Sequence, residues 1–462
     1  MTKMKTRLIS PGLQVLMLAL LLNFPALPGA WLGFAGIAMA DDDDDRGGDD
    51  DDDDDNRRSS PRSSGGGDDD DDDSPRRASP RRQPAPVIVR LPTRVPDEIV
   101  ALDLSAPDLA LLIEDGFALL EEQALGQESI LRRLRIPKDL ALPEARAVVR
   151  ALESAPDADF NHYYRAEEEP ALVAEPAREA PLCEGPHCPA LTQIDWPVAP
   201  SLQTQCAGIP VTIGMIDTGV NPDHAAFDGV KLEVIGGAHA DFDASREVHG
   251  TAVAAVLAGR PDSRSPGLVP WMPLLAVDVF HLDGGDERAD VMALVKGLKT
   301  LADRGVAVIN LSLAGPPNAV LEETLQRLSK EMGIVLVAAA GNAGPRARPR
   351  YPAGYDTVIA VTAVDRSGRI YRRAVGGPHI DLAAPGVDIW TAASVSGARG
   401  KTGTSFAAPY VTAAVALILQ ANPALTPDEV MALLASSAKD IGDEGYDPVF
   451  GHGMLQATNL CR

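Results

Sequence analysis

Two textures of hydrophobic patterning divide the chain. Between Asp97 and Arg165 short segments alternate in period. EIVALDL, FALLEEQAL, SILRRLRI and ADFNHYYR read as strands, while PDLALLIEDG and LPEARAVVRALES carry helical spacing. The resulting order, β-α-β-β-α-β, predicts a ferredoxin-like α+β unit of about 70 residues. From Leu191 onward the strand signals become continuous apolar runs: VTIGMID, PLLAVDVF, VAVINLSL, GIVLVAAA and TVIAVTAV. Runs of this kind fit strands buried on both faces. Helical stretches lie between them, GTAVAAVLAG, DVMALVKGLKTLADRG and AVLEETLQRLSKEMG, and TSFAAPYVTAAVALIL follows. This alternation predicts a doubly wound α/β domain with a mostly parallel sheet, whose functional residues belong at the C-terminal ends of strands.

Composition changes the picture mainly at the N-terminus. Lys3, Lys5 and Arg7 precede an uncharged apolar run that closes on AMA at Ala38–Ala40. This pattern is that of an export signal over residues 1–40, with an uncleaved membrane anchor as the alternative. Eighteen aspartates then fall between Asp41 and Asp73, and without them the formal charge drops from −24 to −6. Residues 41–95 have too little apolar surface to offset chain entropy and read as a disordered spacer whose aspartates form a solvated charge run, with weak collection of divalent cations as the alternative. The remainder has no basic face, which argues against a nucleic-acid partner. The expected organisation continues with the β-α-β-β-α-β unit at 96–165, an Ala/Pro/Glu-rich linker at 166–190 and the α/β domain at 191–462. Export places Cys183, Cys188, Cys206 and Cys461 in an oxidising compartment. Pairing Cys183 with Cys188 and Cys206 with Cys461 is preferred over zinc, because paired two-residue spacing is lacking.

The segment GTSFAAP places Ser405 among small residues ahead of an uncharged helix. A lone serine there reads first as a helix cap. A nucleophile in the same place needs a base and an orienting group. The strand ends supply candidates: Asp217 closes VTIGMID, His249 opens a small-residue helix, and Asn342 follows VLVAAAG. Singly, Asp217 and Asn342 read equally as turn residues, and His249 with His239, Asp241 and Asp243 suggests a metal cluster without helical ligand spacing. Together they offer an orienter, a base, an oxyanion donor and a nucleophile.

The segments DTGV, HGTAVA, AAAGNAGP and GTSFAAP, in this order, resemble the subtilisin-like serine protease family over residues 205 to 460. The resemblance implies a serine endopeptidase with Asp217, His249 and Ser405 as its triad and with Asn342 and the Ser405 N–H as the oxyanion hole. It also implies a substrate cleft lined by Ser312, Leu313, Ala314, Gly315, Ala340 and Gly341. The first α+β unit would be a self-cleaved propeptide acting as intramolecular inhibitor, with NHYYR leading into the cleft. Protein or peptide substrates, a monomer, and a secreted, periplasmic or envelope location follow as expectations.

Departures from the family pattern are local. Ala226 in DHAAF stands where a calcium-ligating carboxylate is expected, so a structural calcium site is left open, and catalysis is expected to need no cofactor. Ala314 in SLAG stands where the family has glycine. In GNAGPRARPRYPAGY, Arg350 precedes Tyr351–Pro352 at the position of the main pocket's floor. Either the loop turns Arg346, Arg348 and Arg350 into solvent, or Arg350 points inward and favours acidic side chains. A catalytically silent binding module and an envelope-tethered scaffold are the alternatives to an enzyme.

Overall fold

The computed structural model describes residues 91–125, 129–166, 183, 185–197, 206–236, 242–458 and 460–461. The export signal, nearly all of the spacer, His239 and Asp241 lie outside them.

The N-terminal unit has the order read from its patterning: β1 (Arg94–Leu102), α1 (Ala106–Glu114), β2 (Ala118–Ala124), β3 (Ile130–Arg135), α2 (Leu142–Arg150) and β4 (Asp159–Ala166). Strand β1 begins at Arg94, two residues inside the expected spacer, because Thr93 O accepts from Tyr163 N at 2.8 Å and binds this segment to β4. Both helices start with a proline in the first turn, where a missing N–H costs nothing. Their apolar faces close a small core around Ile99, Leu112, Leu134, Val149 and Phe160.

A short helix α3 (Cys188–Gln193) crosses the expected boundary at 190. There follow β5 (Ile213–Asp217), β6 (Leu232–Ile235), β7 (Asp243–Ala244), α4 (His249–Ala258), β8 (Leu274–Asp278), β9 (His281–Asp283), β10 (Asp286–Asp290) and α5 (Val291–Asp303). Next come β11 (Val308–Leu311), β12 (Leu313–Ala314), α6 (Ala319–Lys330), β13 (Val335–Ala339), β14 (Ile359–Val364) and β15 (Leu382–Pro385). The chain closes with β16 (Ile389–Ala392), β17 (Ala398–Lys401), α7 (Ala408–Ala421) and α8 (Pro427–Ser437).

Seven parallel strands form the main sheet, ordered β15-β14-β13-β11-β5-β8-β6. Strand β5 comes first in the chain yet lies inside the sheet, so the order reverses beside it and opens a crevice at its C-terminal end. Helices α4 and α7 pack on one face with Met215, Val337 and Val361. Helices α5 and α6 cover the other with Ile216, Leu311 and Ala338. Helix α7 is buried from Ala408 to Gln420, which is why its sequence is apolar on every side.

A second sheet runs β2-β3-β1-β4-β10-β9-β7, with β12 also pairing β4. Strand β4 is therefore shared: it pairs with β1 in its own unit, and its C-terminal half lies against β10 and β12.

Both cysteine pairs form as expected, Cys183–Cys188 and Cys206–Cys461, with Cα atoms 5.6 and 5.1 Å apart. His187 Nε2 lies 3.4 Å from Cys183 Sγ, but the two sulfurs are bonded to each other rather than held as metal-binding thiolates.

Candidate active site

The crevice beside β5 gathers the polar residues singled out from the sequence. Asp217 ends β5 and is buried, and His249 opens α4. His249 Nδ1 donates to Asp217 Oδ1 at 2.6 Å, which fixes the ring and puts the acceptor nitrogen at Nε2. The start of α4 is held by Gly250, whose N–H donates to Thr218 Oγ1 at 2.9 Å. A Cβ at Gly250 would stand 2.3 Å from Thr218 O, so only glycine allows this approach.

Ser405 lies in a single turn of 3₁₀ helix, Thr404–Phe406, ahead of α7. The simplest expectation, a capping hydroxyl, is not what the structure holds, since α7 has no side-chain cap. Ser405 Oγ is instead directed at Ser312 O, 3.3 Å away, and Ser312 Oγ donates to Ser405 O at 2.9 Å. The Phe406 ring lies 5.4 Å from the His249 ring, so the serine turn and the histidine share one corner.

Asn342 follows Gly341, and the positive φ of +99° belongs to the glycine. Asn342 Oδ1 accepts from Thr404 N at 3.1 Å and Thr404 Oγ1 at 3.0 Å. Both bonds end on the side-chain oxygen, so Thr404 fixes which way the Asn342 amide is turned. Thr404 Oγ1 also accepts from Gly341 N at 3.0 Å.

Three supporting residues escaped the sequence reading. Thr404 orients Asn342. Asn310 Nδ2 donates to Ser312 Oγ at 2.9 Å, and Thr412 Oγ1 donates to Asn310 Oδ1 at 3.0 Å. Their signal was weak, because a Thr or Asn within an apolar run looks like an interruption until a buried partner is known.

The two segments expected to line a cleft, Ser312–Gly315 and Ala340–Gly341, follow the neighbouring parallel strands β11 and β13. The first of them is already paired: Leu313 lies opposite Ala166 and Ala314 opposite Arg165. The methyl of Ala314 is accommodated with the strand in register. Arg346 and Arg348 are exposed, but Arg350 is half-buried with its stem against Gly341, so the loop does not turn all three outward. Ala226 is buried, and its N–H donates to His224 Nδ1 at 3.1 Å, so the histidine closes that turn.

Two further carboxyls adjoin the pair. Asp278 lies in register with Asp217, and burial pushes its carboxyl up to about 6 against hydrogen bonds from Phe280 N and Ser245 Oγ. Burial also raises Glu287.

A buried carboxylate–imidazole pair, a serine at a turn and an oriented amide can together serve acyl transfer. Residues 208–453 match the subtilase family, Peptidase_S8. The chain belongs to this family. Subtilisin DY of Bacillus licheniformis is 33% identical over 256 residues, spanning 54% of this chain and 89% of that protein. Subtilisin E of Bacillus subtilis strain 168 is 32% identical over 269 residues, 56% of this chain and 67% of that protein. The crystal structure of fervidolysin from Fervidobacterium pennivorans shares the fold, with a TM-score of 0.67 at 21% identity, over 81% of this chain and 62% of that one. As a subtilase, the protein is a serine endopeptidase that hydrolyses peptide bonds.

Proposed function

We propose that this subtilase is an exported endopeptidase made as a self-processing proprotein, with Ser405 as nucleophile, His249 as general base and then acid, and Asp217 as orienter. Ser405 Oγ attacks the scissile carbonyl while His249 Nε2 takes its proton. Asp217 holds the tautomer and stabilises the imidazolium. The amide NH₂ of Asn342 and the N–H of Ser405 receive the oxyanion. His249 then protonates the leaving amine, and water regenerates the serine by the reverse sequence. These steps need no group beyond this chain and water.

The observation that carries the proposal is the placement of β4. Its last two residues pair with Leu313 and Ala314, the strand that ends beside Ser312 and Ser405. A peptide lying there is positioned as a substrate is. The N-terminal unit is then a propeptide that delivers its own tail and stays as an inhibitor. The contacts around that tail are polar and specific: Arg165 donates to both oxygens of Asp286 at 2.8 and 2.7 Å, and Asn161 Oδ1 accepts from Val291 N at 3.1 Å.

An active-site phosphonate and N-terminal sequencing of wild type and Ser405→Ala test this reading together. Wild type is expected to take the label and lose its N-terminal unit, while Ser405→Ala stays unlabelled and full length. Equal processing of both chains in a protease-free preparation would overturn self-cleavage. Failure of the label on wild type freed of its N-terminal unit would overturn the enzyme reading in favour of a silent binding module.

A further inference from the structure

The expectation of a chain without a basic face fails in one place, because folding brings two arginine-bearing turns together. Between Asn342 and His379 the chain holds seven arginines, no lysine and two acids, Asp356 and Asp365, a formal +5 within a chain of −24. The two turns are tied to each other and to Asn342. Gly344 N donates to Arg373 O at 2.8 Å, Val375 N donates to Gly341 O at 2.9 Å, and Arg373 Nε donates to Asn342 O at 3.3 Å. Each turn also closes on its own backbone, Ala347 N on Gly344 O at 3.0 Å and Ala374 N on Tyr371 O at 2.9 Å. Arg346, Arg348, Arg372 and Arg373 are exposed on this braced platform.

Neighbouring charge does not cancel them. Arg366 and Arg369 have carboxylate partners, Asp388 at 2.9 Å and Asp365 at 2.8 Å. The side chains of Arg346, Arg348 and Arg372 have no hydrogen-bond or ion-pair partner among the described residues. Asp356 lies instead near Glu322 and Asp381, whose carboxyls it helps to raise after burial.

That every cation is an arginine narrows the partner, since a guanidinium fork meets a carboxylate with two parallel hydrogen bonds where lysine offers a point charge. A nucleic acid is the other polyanion such a patch could take. Two observations favour an acidic peptide. The aromatic rings of this stretch, Tyr351, Tyr355 and Tyr371, are half-buried or buried, so none stands among the arginines to stack a base. The rest of the chain is acidic, so a long polyanion that outran the patch would meet repulsion.

The strands indicate which part of a peptide the patch meets. Leu313 and Ala314 pair with β4 and lead to Ser312 and Ser405, while Gly315, at the far end, is bridged to Tyr351 by backbone hydrogen bonds of 2.9 and 3.1 Å. A peptide reaching Ser405 along that edge leaves Gly315 behind it. The arginine turns are joined at Gly341, Asn342 and Gly344, so they border the chain that has passed the reacting bond.

We propose that Arg346, Arg348, Arg372 and Arg373 form a recognition surface for acidic side chains on the segment following the scissile bond, so that this subtilase favours substrates with Asp or Glu on the leaving-group side. This rests on the serine-protease reading above. Exposed guanidinium groups act on the approach and hold of substrate, so the effect belongs in KM and in its salt dependence.

The test is steady-state hydrolysis by processed wild type of a neutral peptide and of its versions with acids after the bond, acids before it, or lysines after it. Rates are counted per site titrated with an active-site phosphonate. Acids after the bond should raise kcat/KM about tenfold at low salt, through KM, and much less at high salt; acids before it should do less. Arg346→Glu/Arg348→Glu/Arg372→Glu should reverse the order, so that the lysine peptide is preferred to the acidic one, and that reversal also shows that the variant folds. The milder Arg372→Gln should cut the acid preference about threefold. Arg373 is left in place because it braces Asn342. Equal kcat/KM for acidic and neutral peptides in wild type, a preference confined to acids before the bond, or an unchanged preference in Arg372→Gln and the triple variant would each overturn the proposal. So would an oligonucleotide that competes with the acidic peptide better than hexaglutamate does. Wild type that neither takes the label nor cuts any peptide would instead overturn the enzyme reading on which the proposal rests.

Discussion

Thr404 holds Asn342 in place: its N–H and hydroxyl converge on Asn342 Oδ1 at 3.1 and 3.0 Å, and the same hydroxyl accepts from Gly341 N. The amide proposed to meet the oxyanion is thus oriented by the residue preceding the proposed nucleophile. Thr404→Val keeps the shape and the backbone donor but removes the hydroxyl. The expected result is a fall in kcat of about tenfold with little change in KM, against about a hundred- to thousandfold for Asn342→Ala. Steady-state kinetics on both and on the double variant check it, and the double variant should lose little more than Asn342→Ala alone. Additive losses would show that Thr404 acts on something other than Asn342.

The fold, and the placement of four polar residues after strands or at helix starts, were readable because each rests on a local signal. Continuous apolar runs name the parallel strands, and short motifs at their ends name Asp217, His249, Asn342 and Ser405. What could not be read was anything that joins distant segments. Thr404 and Asn310 look unremarkable until their buried partners are known, and the sharing of β4 between two sheets leaves no mark on its own alternation. Arg350 was ambiguous for a related reason, since whether an arginine turns inward depends on the space beside it. That space is set by Gly341, nine residues earlier in the chain.

The joint between the two units contains a histidine that must stay neutral. Asn318 caps α6 by accepting from Leu321 N at 3.1 Å, which leaves its NH₂ to donate to His162 Nδ1 at 3.0 Å and to Phe160 O at 2.9 Å. Burial depresses His162 from 6.5 to about 4, with Arg94 and Arg146 acting in the same direction and Asp159 opposing. A histidine whose assembled-state value is depressed contributes fully above pH 6.5. Its contribution falls as the released form takes up protons from about 6.5 down to about 4. Processed wild type should therefore release its N-terminal unit more readily at pH 5 than at pH 7.5, as read by size exclusion and by the rate at which activity appears. His162→Phe, which cannot take up the proton, should flatten that dependence. The same dependence in His162→Phe would place the sensor elsewhere.

The bond between Cys206 and Cys461 closes a separation of 255 residues, and Cys461 packs against the main core. In the loop-entropy account a closure of this length stabilises by up to about 5 kcal/mol, while the five-residue Cys183–Cys188 loop contributes less. Cys206→Ser/Cys461→Ser is expected to lower the denaturant midpoint clearly more than Cys183→Ser/Cys188→Ser. Equilibrium unfolding of the Ser405→Ala chain, which avoids self-digestion, makes the comparison. Equal midpoints for both variants would show that the long closure gains nothing from its length.

Asp278 is expected to influence the acid side of the pH profile. Its carboxyl lies in register with Asp217, accepts from Ser245 Oγ at 2.8 Å and Phe280 N at 2.9 Å, and is raised by burial to about 6. For a carboxyl raised in the folded state, the neutral form is the one the fold favours. Its contribution is present below the unfolded value of 3.8 and is lost as pH rises through about 6. Above pH 6 the extra negative charge beside Asp217 also favours the protonated imidazole of His249, the form unable to act as base. Asp278→Asn retains an acceptor for Phe280 N and a partner for Ser245 but cannot ionise. The acid limb of kcat/KM should therefore move to lower pH in Asp278→Asn, and its melting temperature should gain on wild type more at pH 8 than at pH 4.5. An acid limb that stays where it is, with a constant difference in melting temperature, would mean that Asp278 does not titrate in this range.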